Sequence, residues 1–187
     1  MVNQLEKLRE LIRSRAYRKV DGVQLASGQS SNHYFDLKKV SLHASSLKCL
    51  SQCLFADLKK RDPELTWVAG VSVGGDPVVT GIILESLENA EDWQALLVRK
   101  KPKSHGMSQG RAVEGPHAEE LKAGWLIEDV VSTGGSSLEA AQMMRDEGYK
   151  LSGVLCIVDR EMGGLDKLRE ALGVPCEALF RASEILA

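Results

Sequence analysis

Excess positive charge is missing from this chain of 187 residues. Its 24 lysines and arginines face 26 aspartates and glutamates, a formal net charge of −2. No overall basic field draws nucleic acid. Long apolar runs are missing as well, and none approaches the roughly 18 residues of a membrane-spanning helix. Residues 1–10 are charged and amphipathic, without the apolar core of a signal peptide. The expectation is a cytoplasmic protein with neither nucleic acid nor membrane as partner. Cysteines number four, at 49, 53, 156 and 176. Cys49 and Cys53 fall one turn apart on an expected helix, but no matching His or Cys pair accompanies them. Buried thiols fit better than a metal half-site. Two nucleotide signatures are also lacking. No Lys follows Gly134 or Gly135, as a P-loop requires, and Gly70, Gly74 and Gly75 lack the Rossmann spacing. No repeat, low-complexity tract or linker divides the chain.

What is present fits one globular domain, residues 1–187, with 43% hydrophobic residues. Leu5, Leu8, Leu11 and Ile12 have helical spacing over residues 3–16. A loop-rich stretch follows and ends in an alternating segment, 33–37. Leu47, Leu50, Leu54 and Leu58 mark a helix over about 45–60, with Ser45 or Ser46 as N-cap and Pro63 beyond its end. Residues 67–73 read as a buried strand. Pro77 suits the first position of a helix over 77–88. Strands follow at 95–98, 124–131 and 152–158, and helices at 136–147 and 165–172. A last strand and a short helix finish the chain. Strands alternating with helices predict an α/β fold, a parallel sheet flanked by helices. Ligands of such sheets bind beyond the carboxyl ends of the strands. The turn at Gly74 and Gly75, the segment 99–115, the loop 128–136 and Asp159-Arg160 should therefore share one edge.

The segment 125–137 carries the most chemistry. Apolar residues, Val130 and Val131 among them, bracket the adjacent carboxylates Glu128 and Asp129. Ser132, Thr133, Gly134, Gly135, Ser136 and Ser137 follow, and a helical pattern begins at once. A small-residue loop at a helix N-terminus offers backbone N–H groups to an anion. Acids just before it repel a bare phosphate but accept from sugar hydroxyls. The combination suits a ribose 5-phosphate. An ordinary strand-to-helix turn with a surface acidic pair is the alternative.

Residues 99–115 form a polar segment without apolar period. Arg99, Lys100, Lys101, Lys103 and His105 fall within seven residues, among Gly106, Gly110 and Gly115. A solvated charge run is one reading. The other is a cationic loop that neutralises a diphosphate leaving group and excludes water from a reactive sugar.

The segment 125–137 resembles the phosphoribosyl diphosphate (PRPP) motif of type I phosphoribosyltransferases. Arg99-Lys100-x-x-Lys103-x-His105-Gly106 resembles the catalytic loop of the orotate phosphoribosyltransferases within them. Leu25-x-Ser27-Gly28-x-x-Ser31-x-x-Tyr34-x-Asp36 resembles the same family. So do Val71-x-Val73-Gly74-Gly75-Asp76-Pro77 and Asp159-Arg160-Glu161 with Gly163-Gly164. These motifs run from about residue 20 to 165 in the family's order.

The resemblance implies the type I fold with a small N-terminal hood, residues 1–40 contributing to it over the base site. It implies transfer of ribose 5-phosphate from PRPP to orotate, giving orotidine 5'-phosphate and diphosphate in pyrimidine biosynthesis. The catalytic residues would be Lys103, Asp129, Glu128, His105 and Lys100. PRPP would meet Arg99, Lys100, Lys103, His105 and residues Glu128, Asp129, Val130, Val131, Ser132, Thr133, Gly134, Gly135 and Ser136. Orotate would meet Tyr34, Phe35, Ser132 and Arg160. A planar ring calls for an aromatic wall, and a carboxylate for the guanidinium fork of Arg160. For Phe35, plain core packing is an equal alternative. Arg160 could instead pair with Glu161 or Asp159. Mg²⁺ is the implied cofactor, held mainly by PRPP and water rather than by the protein. A homodimer with shared sites is implied too, because the catalytic loop closes over the neighbouring subunit. Ala26, where many members carry Lys, and Val73 are departures. They leave two other readings: a regulator that binds PRPP or nucleotide without catalysis, and a transferase for another base. No role is assigned to His33, His43 or His117.

Overall fold

A computed structural model describes residues 2–24, 30–99 and 111–187. Its centre is a six-stranded sheet of order β5-β4-β3-β6-β7-β8. The strands are β3 (Trp67–Val71), β4 (Gln94–Val98), β5 (Val113–Glu114), β6 (Gly124–Val131), β7 (Leu151–Asp159) and β8 (Cys176–Arg181). All neighbours are parallel except β4 and β5. The central strands are almost wholly buried, as strands covered on both faces must be. Alternation divides their side chains. Val68, Ile127, Leu155 and Ile157 meet helices α1 (Val2–Leu11), α3 (Ala44–Arg61) and α4 (Asp76–Glu88) on one face. Ala69, Leu126, Val154 and Cys156 meet α5 (Gly135–Asp146) and α6 (Gly164–Leu172) on the other. The α/β expectation holds, with helices on both faces.

The N-terminal region departs from the sequence reading. The expected helix over 3–16 is α1 followed by a wide turn, Ile12–Ala16. The expected loop-rich stretch contains an antiparallel hairpin, β1 (Tyr17–Gln24) with β2 (Ser30–Phe35). Its register places Tyr17 opposite Phe35 and Lys19 opposite His33. Too few apolar residues alternate there to betray a strand pair. A short helix, α2 (Lys38–Ser41), leads on to α3. Ser45 and Ser46 do not cap α3. The cap position is His43, and buried Ser46 accepts a hydrogen bond from Arg15 instead. All four cysteines are buried and free.

Two further boundaries matter to the site. β3 ends at Val71, so Ser72 and Val73 belong to the turn. Residues 113–114, expected as loop, form β5 on the sheet edge. Ala112 and Val113 are buried although their surroundings in sequence are polar. α7 (Ala182–Leu186) closes the chain.

The sheet is locked at its lower end by two tryptophans against two glycines. A Cβ on Gly124 would lie 2.3 Å from the buried Trp67 ring, and one on Gly153 would lie 2.7 Å from the Trp125 ring. Trp67 Nε1 donates to the Lys122 carbonyl at 3.0 Å, so that ring cannot turn away freely. Overpacking of this kind costs about 1–3 kcal/mol. Gly124→Ala should lower the midpoint of thermal unfolding by roughly 2–12 °C for a domain of this size. A midpoint unchanged in calorimetry would show that the ring yields.

Candidate active site

β3 and β6 are neighbours in space, yet the chain runs outward from β3 to β4 and β5 and outward from β6 to β7 and β8. Their carboxyl ends therefore flank the point where strand order reverses, the usual ligand position in such sheets. Glu128 and Asp129 sit at the end of β6. Successive strand residues face opposite sides, and the pair divides accordingly. Glu128 is 5% exposed and accepts a hydrogen bond from Ser137 of α5 at 2.9 Å. Asp129 turns the other way, toward the turn after β3. A Cβ on Gly74 would lie 2.3 Å from Asp129 Oδ2. Only glycine lets that turn approach the carboxylate. Asp129 Oδ1 also accepts from the Val130 amide at 2.8 Å.

The loop after β6 ends in Gly134, whose φ is 73° and which stands at the N-cap of α5 without any side-chain cap. The helix thus begins with its N–H groups open toward the loop. The start of α6 packs beneath: a Cβ on Gly164 would lie 2.4 Å from the Ser132 carbonyl oxygen. A cavity of about 430 Å³ is lined by residues 129–137 together with Tyr34, Phe35, Lys38 and Arg160. A smaller cavity of about 270 Å³ adjoins it, lined by Val71, Ser72, Val73, Gly74, Glu128 and four residues common to both. Those four are Lys38, Asp129, Val130 and Ser136.

The expected base-binding residues gather at one end. Tyr34 is partly exposed, whereas Phe35 is buried in the core against Tyr17, ring centroids 5.4 Å apart. Phe35 thus packs in the core and lines the cavity as well. Arg160 donates to Ser132 Oγ at 3.4 Å and to the His33 carbonyl of the hairpin. Partial burial lowers its ionisation from the ordinary arginine value. The two acids beside it in sequence are engaged elsewhere. Glu161 accepts from the amide and hydroxyl of Ser183, and Asp159 accepts from the Glu161 amide. Arg99 lies beyond β4, where its side chain is 3.5 Å from Glu114. Its amide donates to the Ala112 carbonyl. Lys100, Lys103 and His105, with Ala26 of the N-terminal motif, lie outside the described residues.

Sequence reasoning missed Lys38. Its one signal is position, two residues beyond Asp36 of the N-terminal motif. It also missed the difference between the two acids of β6, although strand alternation contains it.

Burial first, and the neighbouring Asp129 charge second, push the Glu128 carboxyl up to about 8. An acid whose pKa is raised on folding favours the folded state only while protonated. Its contribution is complete below the unfolded value near 4.5 and is lost as pH rises toward 8. Glu128→Gln mimics the protonated side chain. In the ligand-free protein its thermal midpoint should gain on wild type between pH 5 and 8, by an amount on the order of a few degrees. A difference constant over that window would show Glu128 already ionised in the fold.

No protein-family model matches the chain. It is 35% identical over 162 residues to the orotate phosphoribosyltransferase of Leptospira biflexa, covering 86% of this chain and 85% of that protein. The orotate phosphoribosyltransferase of Aquifex aeolicus is 34% identical over 183 residues, covering 97% of each. Among solved structures, the Mycobacterium tuberculosis orotate phosphoribosyltransferase in complex with PRPP superposes with a TM-score of 0.76. It is 26% identical, with 98% of this chain and 99% of that one covered. The fold is that of the type I phosphoribosyltransferases. With identity above 30% along nearly its whole length, this chain belongs to the orotate phosphoribosyltransferase family.

Proposed function

We propose that the chain transfers ribose 5-phosphate from PRPP to orotate, releasing diphosphate, with residues 1–187 as one domain. The observation that carries this is the single cavity joining Tyr34, Phe35 and Arg160 to the loop 129–137. The uncapped N-terminus of α5 takes the 5-phosphate, through the loop from Ser132 to Ser136. The hairpin within residues 1–40 is the hood over the base, tied down through the Arg160 contact to His33. Tyr34 and Phe35 wall the ring. Arg160 reads the orotate carboxylate beside Ser132.

The two acids take unequal parts. Asp129 borders both cavities and faces the sugar as positive charge develops there. Glu128, buried on Ser137, accepts from a ribose hydroxyl at the edge of the smaller cavity. Arg99, Lys100, Lys103 and His105 carry the counter-charge for the departing diphosphate. Mg²⁺ is the proposed cofactor, and oxygen donors with substrate phosphates suit it. It would be held mainly by PRPP oxygens and water rather than by the protein. When bound, it would supply charge that neutralises diphosphate oxygens.

The proposed assembly is a homodimer with shared sites. Leu84 and Leu87, one turn apart on α4, are 60% exposed, a surface that a second copy would cover. The cytoplasm is the proposed compartment, since four free thiols suit reducing conditions.

Purified protein should consume orotate only with PRPP and Mg²⁺ both present. PRPP binding without turnover would instead favour a regulator. Arg160→Ala should lose about ten- to a hundred-fold in kcat/KM for orotate, the worth of a hydrogen bond to a charged group. Its KM for PRPP should hardly change. An Ala variant that keeps the wild-type preference for orotate over uracil would mean the carboxylate is read elsewhere.

Sharing of sites has its own test. Lys103→Ala and Asp129→Asn, each inactive alone, should recover activity when mixed under subunit exchange, because a hybrid dimer holds one intact site. Mixtures as inactive as their parts would refute a loop acting across the dimer.

A further inference from the structure

Lys38 is the cation that the function just proposed leaves unused. It follows β2 at the start of α2 and lines both cavities, which meet at Lys38, Asp129, Val130 and Ser136. Among the described residues it is the one cation bordering both. Arg160, the other cation of the larger cavity, stands at the base end. The smaller cavity is otherwise lined by Glu128, Asp129 and small or apolar side chains. A polyanion entering it meets two carboxyl groups and, among the described residues, one positive charge.

The setting of Lys38 leaves it able to serve. Its Nζ lies 2.8 Å from Asp36 Oδ1, and the Lys38 side chain is 45% exposed. The contact is a close ion pair that turns one N–H of the ammonium toward Asp36. Asp36 therefore holds the ammonium in place, while the two N–H donors not turned toward it remain available to an acceptor in the cavity. The contact with Asp36 above all, and the field of Asp129 after it, keep the ammonium charged more firmly than an ordinary lysine.

We propose that Lys38 binds the diphosphate end of PRPP from the hood side of the cavity, with Asp36 as its positioning residue. The proposal rests on the transferase reading of the same cavity. It places a fixed charge on the protein's own wall, opposite Asp129, in addition to the cationic segment after β4. A lysine suits this task because its compact charge can follow phosphate oxygens from the bound to the departing position.

The test is calorimetric titration with PRPP, and separately with inorganic diphosphate, both with Mg²⁺. Lys38→Met should weaken both by about ten-fold, as loss of one charge-assisted hydrogen bond predicts. Lys38→Arg should recover most of the loss, and the KM for orotate should stay within about two-fold. The double variant Asp36→Asn with Lys38→Met separates binding from mere neutralisation. If Lys38 binds diphosphate, the double variant stays weak. If Lys38 only offsets Asp36, the double variant returns to wild-type affinity and the proposal falls. It falls equally if Lys38→Met binds diphosphate within about two-fold of wild type. Should Lys38→Met fail to fold, Lys38→Gln carries the same comparison. Diphosphate binding reads Lys38 without turnover. A wild-type chain that binds diphosphate through Lys38 yet consumes no orotate would refute the transferase reading and keep this one.

Discussion

β3 and β6 run side by side although β4 and β5 separate them in sequence, and the site follows from that pairing. Val68, Ala69 and Gly70 face Trp125, Leu126 and Ile127 in parallel register. β3 ends one residue past the Gly70–Ile127 pair, at Val71, and β6 runs on to Val131, so Glu128 and Asp129 stand beside the turn that leaves β3. The turn at Ser72 to Gly74 and the loop at Ser132 to Gly135 emerge as neighbours. Gly74 brings its backbone onto the Asp129 carboxylate, where an added Cβ would push that side chain aside. A slip of one residue would exchange the faces of every side chain on β6. Asp129 would then face Ser137, and Glu128 would face the turn.

That alternation also explains how a site for an anionic substrate tolerates acids. Two exposed carboxylates beside a phosphate would oppose binding. Here one acid is buried, hydrogen-bonded to Ser137 and held toward its neutral form. The other acid, Asp129, borders both cavities. On the reading proposed above, its attraction for the sugar grows during the reaction, and attraction confined to the transition state raises kcat rather than affinity.

Much of this was legible in the chain. The segment 125–137 announced strand, acids, loop and helix in order, and β6 and α5 lie within a residue of expectation. Tyr34, Phe35, Ser132 and Arg160, scattered over more than a hundred positions, do line one cavity. What was illegible depends on tertiary contacts. The β1/β2 hairpin alternates only near its end, over 33–37, and is held by the Tyr17–Phe35 ring contact and the Arg160 bond to the His33 carbonyl. β5 is two residues long, too short for any pattern, and exists because β4 offers it an edge. Ser46 resembles a cap in sequence, but its hydroxyl is taken by Arg15 from α1's continuation. Lys38 looked like one of 24 basic residues, and only the fold sets it over the cavity.

One helix ties the two halves of the site together. The N-terminus of α5 opens on the loop from Ser132 to Gly134, and Glu147 stands at its other end. Glu147 accepts from the amides of Ala112 and Val113 and from the Arg111 guanidinium. Arg111 donates in turn to the Tyr149 hydroxyl, which donates to the Pro116 carbonyl. Arg99, just beyond β4, donates its amide to the Ala112 carbonyl at the sheet edge. The two residues that bound the cationic segment, Arg99 and Arg111, are therefore fixed by backbone and charge contacts. Arg111, Ala112 and Val113 are thereby tied to the end of the helix whose N-terminus opens on the Ser132–Gly134 loop. Partly buried networks of this kind hold geometry because each broken bond leaves a poorly solvated partner behind. The distance between its two ends is set by the rise of a twelve-residue helix. The helix therefore sets how far Arg111 and Ala112, before β5, stand from the loop at Ser132 to Gly134.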